Sequence, residues 1–331
     1  MQGWLGRRQE APLPLVDGGA APPKRGVPSH SRTEKVFAAA LYAATSLVLV
    51  SANKVVLTSY AFPSSNALAT SQFLTTAVAV KLASCLGYVK VAPFGAQVLR
   101  QVLPITVLFL VDVLCGLAGT KFISLPMFAV LRRFSIPTTM FLERMIQQSR
   151  PSSVIQLSVW VMVLGAIVAA VNDLAFSLLG YSFIFVNDLA TASRGVYIKS
   201  LTHGQRASKI DLLYYNAVLS LLWMTAFVPL TEDVGGIAAF EGWQNPRFLV
   251  MFACSSALGV VLQYSIYLCT SANSALTTTV VGCLKNAAVT YLGMVIGGDY
   301  AYSLWNFVGV NLSMGASIVY VYAAFRSREK K

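Results

Sequence analysis

Apolar residues run along this chain in long blocks rather than alternating with polar ones. Blocks of about 20 mainly apolar residues suit helices that cross a bilayer. Ten can be marked: Val36–Thr58, Asn66–Leu86, Val102–Phe122, Leu125–Ile146, Ser153–Val171, Leu179–Ile198, Asp211–Leu230, Phe248–Cys269, Ser274–Ile296 and Ser303–Phe325. Barrel strands would alternate over about ten residues instead. The pattern therefore predicts an all-α multi-pass membrane protein of ten transmembrane helices. Blocks 4 and 6 are the weakest, because they carry Arg132 and Arg133, and Asn187, Asp188 and Arg194.

Residues 1–33 break the pattern. The stretch "APLPLVDGGAAPPKRGVPSHSR" is rich in Pro, Gly and Ala and lacks a sustained apolar run. It predicts a disordered tail, and no apolar core for a secretory signal. A processed transit peptide is the alternative, since Arg7, Arg8, Lys24, Arg25 and Arg32 outweigh Glu10 and Asp17. A ten-helix domain is predicted over 34–325, and 326–331 is a basic tail.

Composition agrees: 56% of residues are apolar and 11% charged, against about a quarter charged in soluble domains. All five cysteines fall in predicted spans, which suggests packing rather than a disulfide framework. The net charge of +12 could suggest nucleic acid, but its distribution argues otherwise. With the N-terminus in the cytosol, the cytosolic segments hold most of the Lys and Arg, Lys199 among them. The opposite loops hold only Lys121 and Arg247, with Asp173, Glu232, Asp233, Glu241 and Asp299. This is the positive-inside asymmetry, and it puts both termini in the cytosol.

Ten helices divide into repeats over about 34–172 and 175–325. Each has an odd number of helices, so the halves are expected to be inverted, an arrangement that puts a transport site at their interface. Overlaying "VLRRFSI" of helix 4 on "CLKNAAV" of helix 9 matches Leu131 with Leu284, Arg132 with Lys285 and Arg133 with Asn286.

Those matched residues are the anomaly. A charge at the bilayer centre costs about 2.5–3.5 kcal/mol on insertion scales, so such groups are expected to face a cavity or an anion. Arg132 shares a helix face with Phe128, while Arg133 is turned by about 100°. A guanidinium fork suits phosphate. The competing reading is an internal ion pair of either arginine with Asp112 or Asp188. In helix 9, Ser274, Thr278 and Lys285 fall near one face with Gly282, which suits a polar anion or, alternatively, close helix packing. Tyr214, Tyr215 and Asn216 open helix 7 and suit nucleobase stacking and edge bonding, or else an interfacial aromatic belt. Lys54 ends helix 1, as a ligand contact or a snorkelling lysine. No HExxH, P-loop or GxSxG motif occurs, and His30 and His203 lie outside the spans. A non-enzyme with no metal or cofactor is expected.

The stretches "SANKVVLTSYAFPS", "TKFISLPMFAVLRRFSIP", "NDLAFSLLGYSF", "DLLYYNAVLS", "FEGW", "NSALTTTVVGCLKN" and "YLGMVIGGDY" carry a family likeness. Over about residues 36–325 the chain resembles the nucleotide-sugar transporters of the drug/metabolite transporter superfamily, in the UDP-sugar branch. The resemblance implies two inverted five-helix halves and exchange of a cytosolic UDP-sugar for lumenal UMP. It implies the Golgi membrane, with the endoplasmic reticulum second; the terminal "SREKK" is a poor match to a dilysine retrieval signal. It implies that Tyr214, Tyr215 and Asn216 meet the nucleotide, that Gly282, Lys285 and Asn286 meet base, ribose or phosphate, and that Arg132 or Arg133 assists. Two departures stand out. "GCLKN" replaces the "GALNK" of GDP-mannose carriers, and Arg194-Gly195 stands where UDP-sugar relatives have Asn-Gly. Asp112 is also unusual for the branch, and is expected to neutralise an added charge such as Arg194. The alternatives are a plastid-type phosphate-ester exchanger, then a GDP-sugar transporter or a membrane-embedded glycosyl transferase. UDP-sugar, UMP and the bilayer are the expected partners, with no nucleic acid; homodimer formation is left open.

Overall fold

The computed structural model describes residues 31–120, 122–123, 128, 131–148, 150–170, 177–203, 207–296 and 304–326. Among these residues it is helical and contains no strand. The predicted tail, apart from its last few residues, lies outside this set.

Ser31 starts the first helix, α1 (Arg32–Lys54), ahead of the apolar block. Its side chain accepts from the Glu34 amide, and the Glu34 carboxylate accepts from the Ser31 amide, a reciprocal cap. A π-helical turn, Val55–Ser59, prolongs it. There follow α2 (Ser65–Cys85), α3 (Ala96–Thr120) and a 3-10 turn, Arg132–Phe134, that leads into α4 (Ser135–Gln147). The chain continues through α5 (Ser153–Ala170), α6 (Leu178–His203), α7 (Lys209–Thr231), α8 (Pro246–Ala272), α9 (Ala275–Ile296) and α10 (Leu304–Arg326). Among the described residues, five segments are long and apolar enough to cross a membrane: Arg32–Ser59, Ala96–Gly116, Lys209–Thr231, Pro246–Ala272 and Phe307–Arg326. Many large apolar side chains point outwards, including Leu157, Trp160 and Leu164 of α5. Outward apolar faces and repeated long apolar helices make this a multi-pass membrane protein.

Block 4 departs from expectation. A continuous helix over Leu125–Ile146 was predicted, but Arg132–Phe134 form a 3-10 turn before α4 begins. Pro137 supplies the reason. It has no N–H for the carbonyl of Arg133, and its ring crowds that carbonyl. It is tolerated only in the first turn of a helix, which is where α4 places it.

Helix packing follows a rule. α3 packs on α6 as α8 packs on α1, α4 on α6 as α9 on α1, and α2 on α8 as α7 on α3. α2 also meets α7, α4 meets α9 and α5 meets α10. Adding five to each helix number thus turns these pairs into one another. The α5–α10 crossing is built on glycine. A Cβ on Gly165 would lie 2.7 Å from the Gly309 carbonyl oxygen and 2.8 Å from the Ser313 amide.

The α8–α9 hairpin is held by three other helices. Lys199 of α6 is 8% exposed, and its ammonium donates to the Ser271 and Asn273 carbonyls at 2.7 Å each. Glu143 of α4 is buried and accepts from the Leu276 amide at 3.1 Å. A cation thus meets a helix C-terminus and an anion a helix N-terminus, both favourable to the helix dipole. The Asn273 side chain donates to the Lys35 carbonyl of α1 at 3.1 Å.

Candidate functional site

The 3-10 turn delivers Arg132 into a polar cluster between α3 and α6. Its Nη1 donates to Asp112 Oδ1 at 3.2 Å, to Thr191 Oγ1 at 3.0 Å and to Asn187 Oδ1. Asp188 Oδ1 lies 3.7 Å away, and Asp188 is 1% exposed. Asn187 Nδ2 donates in turn to Asp112 Oδ1 at 2.9 Å and to the Asp112 carbonyl, and the Thr191 hydroxyl donates to Asp112 Oδ1. The guanidinium also stands 6.0 Å from the centre of the Phe128 ring, the neighbour its helical position predicts. Of the two arginines it is therefore Arg132 that the carboxylates hold. Arg133 is buried. The expectation that Asp112 neutralises Arg194 is corrected. Asp112 is engaged by Arg132, whose guanidinium reaches it at 3.2 Å.

α9 reaches the same place. The Cys283 thiol lies 3.9 Å from the Arg132 carbonyl, so the two motifs overlaid in sequence adjoin in space. Lys285 is half-buried and lies close enough for its charge to be felt by Arg132. Among the described residues, no hydrogen bond or ion pair occupies its ammonium. Gly282 faces Tyr42 of α1, where a Cβ would fall 2.9 Å from the phenol oxygen. The side chain of Asn286 lies outside the described residues.

Other expected residues are engaged in structure. Ser274 caps α9, accepting from the Thr277 amide at 3.0 Å. The Thr278 hydroxyl accepts from Thr270 at 3.1 Å. Tyr215 is buried and donates to the Ala92 carbonyl at 2.6 Å, and Asp211 accepts from the Ala92 amide at 2.8 Å. Together they tie the α2–α3 connection to the start of α7. Tyr214 packs edge-on against Tyr215 with ring centres 5.0 Å apart. Asn216 Oδ1 accepts from Thr106 of α3 at 3.1 Å. Lys54 stands exposed at the end of α1.

Sequence reasoning did not assign Asn187, Thr191, Tyr42 or Phe109 to the site. A signal existed for two of them. Asn187, Thr191 and Arg194 recur at i, i+4 and i+7, a polar stripe on an otherwise apolar helix. Phe109 faces the Arg194 guanidinium, 5.2 Å from its ring centre.

The profile of the triose-phosphate transporter family matches residues 35–321. The chain belongs to this family. Its relatives include the UDP-sugar transporter UST74c of Drosophila melanogaster, 42% identical over 89% of this chain and 79% of that one. The nucleotide sugar transporter SLC35D2 of Mus musculus is 39% identical over 92% and 93%. The UDP-sugar transporter sqv-7 of Caenorhabditis elegans is 39% identical over 91% of each. A crystal structure only 14% identical covers 91% of this chain and all of its own, with a TM-score of 0.63, which places the family's fold among solved ones.

Proposed function

We propose that this member of the family carries a UDP-sugar across a Golgi-type membrane in exchange for UMP. The observation that carries the reading is about two-fifths identity, over nine-tenths of the chain, to proteins named as UDP-sugar or nucleotide-sugar transporters. The interior of the site supports it with Lys285, whose ammonium has no partner among the described residues. We assign Lys285 to the diphosphate, with Arg132 and its carboxylates lining the same site, and Tyr214 and Asn216 positioned for the nucleoside. The five-helix regularity of the packing supports two inverted halves that rock about this site. Both termini would then be cytosolic, as the basic asymmetry requires.

Exchange rather than leak follows from charge. A UDP-sugar and UMP carry nearly equal negative charge, a phosphate monoester having about −1.5 to −2 near neutral pH. Without a ligand, Lys285 would have to be sealed into a dry core with no counter-ion, which is costly. The test is uptake of labelled UDP-sugars into proteoliposomes loaded with UMP. Stimulation by internal UMP is expected, and Lys285→Ala should abolish most of it. Uptake indifferent to every internal nucleotide sinks the exchange claim; full uptake by Lys285→Ala sinks the phosphate role. Competition by triose phosphate instead of UMP would move the reading to a phosphate-ester exchanger.

A further inference from the structure

The cations inside the bundle fall into two groups. Arg132 is matched by Asp112 and Asp188, and Lys199 by two helix-terminal carbonyls. Arg194, like Lys285, belongs to the second group. It is half-buried in the middle of α6, and among the described residues it has no carboxylate within ion-pair distance and no hydrogen bond. Its guanidinium faces the ring of Phe109, 5.2 Å from the centre. The hydroxyls of Tyr42 and Tyr267 lie close enough to feel its charge. An aromatic face recovers only part of what it costs to keep a guanidinium inside a membrane, so an anionic ligand is suited to pair it.

Its position says which anion. On α3, Thr106, Phe109 and Asp112 recur every three residues and meet Asn216, Arg194 and Arg132 respectively, Asp112 also accepting from Asn187 and Thr191. A rise of about 1.5 Å per residue separates these levels by about 4.5 Å. Arg194 is the middle rung. α6 repeats the order, with Arg194 one turn from Thr191, which bonds Arg132. If Asn216 lies towards the nucleoside, the next rung meets the group attached to it, a phosphate.

We propose that Arg194 binds the phosphate common to UDP-sugars and UMP, beside Lys285, and that Arg132 with its two carboxylates faces the sugar hydroxyls. This rests on the UDP-sugar reading above. Phe109 holds the guanidinium plane, so that its fork can meet two phosphate oxygens. Carboxylates that already neutralise Arg132 are suited to accept hydrogen bonds from sugar hydroxyls and unsuited to face a second anion.

The experiment measures ligand-induced thermal stabilisation of the detergent-purified full chain by UMP, UDP-glucose and uridine. Wild type should favour UMP over uridine. Arg194→Gln should weaken UMP by about 10- to 100-fold, as loss of a charged hydrogen bond does, and leave uridine unchanged; Arg194→Lys should recover part of the loss. Phe109→Leu, which removes the ring but keeps the charge, should weaken UMP less than Arg194→Gln. Equal weakening of UMP and uridine, or equal loss in Phe109→Leu, would mean that Arg194 only packs α3 on α6 and overturns the inference. UMP binding retained in Arg194→Gln overturns it alone, whereas a wild type that ignores UMP overturns the parent reading and this one together.

Discussion

Arg132 shares its charge with two carboxylates, and the order in which partners are removed decides the cost. Arg132→Ala leaves Asp112 and Asp188 facing each other without a cation; breaking a buried pair in this way costs about 3–5 kcal/mol. We expect a clear fall in the unfolding temperature of the purified protein, and a smaller one for the double variant Arg132→Gln with Asp112→Asn. A double variant at least as unstable as Arg132→Ala would show that the pair contributes nothing by being a pair. The sequence exposed Arg132 because a charge in an apolar block is conspicuous on its own. It could not say which arginine the carboxylates hold, since that depends on a local tightening of the backbone. Tyr215 and Thr278 show the opposite limit. Their types suited a ligand, but their hydroxyls are used by Ala92 and Thr270, partners fixed only by tertiary packing.

At the scale of the element, the 3-10 turn at Arg132–Phe134 is the feature that aims the site. Short 3-10 stretches inside helices often mark hinges, and here the cause can be named. Pro137→Ala restores an N–H to the Arg133 carbonyl and lets α4 extend backwards as regular helix. Arg132 would then turn away from Asp112. Uptake should fall at least tenfold while the unfolding temperature holds or rises; unchanged uptake would show that the turn does not set the aim. Pro137 was visible in the sequence, and the apolar block around it masked its effect. Lys199 shows a different limit. It belongs to the basic asymmetry by position, yet it is buried against carbonyls 72 and 74 residues further on. No local pattern encodes such a partner.

Across the whole molecule, the succession of apolar blocks was legible because span length is set by the bilayer. A division into halves was hinted at by a three-residue overlay, and the described helices pack by the five-step rule. The α5–α10 crossing was not legible, because Gly165 and Gly309 are ordinary residues until the helices touch. Their backbones meet closely, as small residues allow in membranes. A Cβ on Gly309 would fall 2.5 Å from the Ala169 amide, so Gly309→Leu forces the helices apart. Overpacking costs about 1–3 kcal/mol, and more when backbone must move. We expect a lowered unfolding temperature in Gly309→Leu and little change in Ile318→Ala, which lies on the exposed outer face. Equal tolerance of both would mean that the crossing is looser than described.

The grip on the α8–α9 hairpin also bears on how the protein is made. Lys35, Glu143 and Lys199 all leave the ribosome before the hairpin groups they hold. Synthesis runs at about 5–20 residues per second, so the earlier helices wait several seconds with these contacts unmade. A transcript truncated before residue 271 never provides the Leu276 amide or the Ser271 and Asn273 carbonyls. Its product would keep an acidic and a basic side chain at positions shaped for partners that do not arrive, which marks it for cellular quality control rather than for use as a half-carrier.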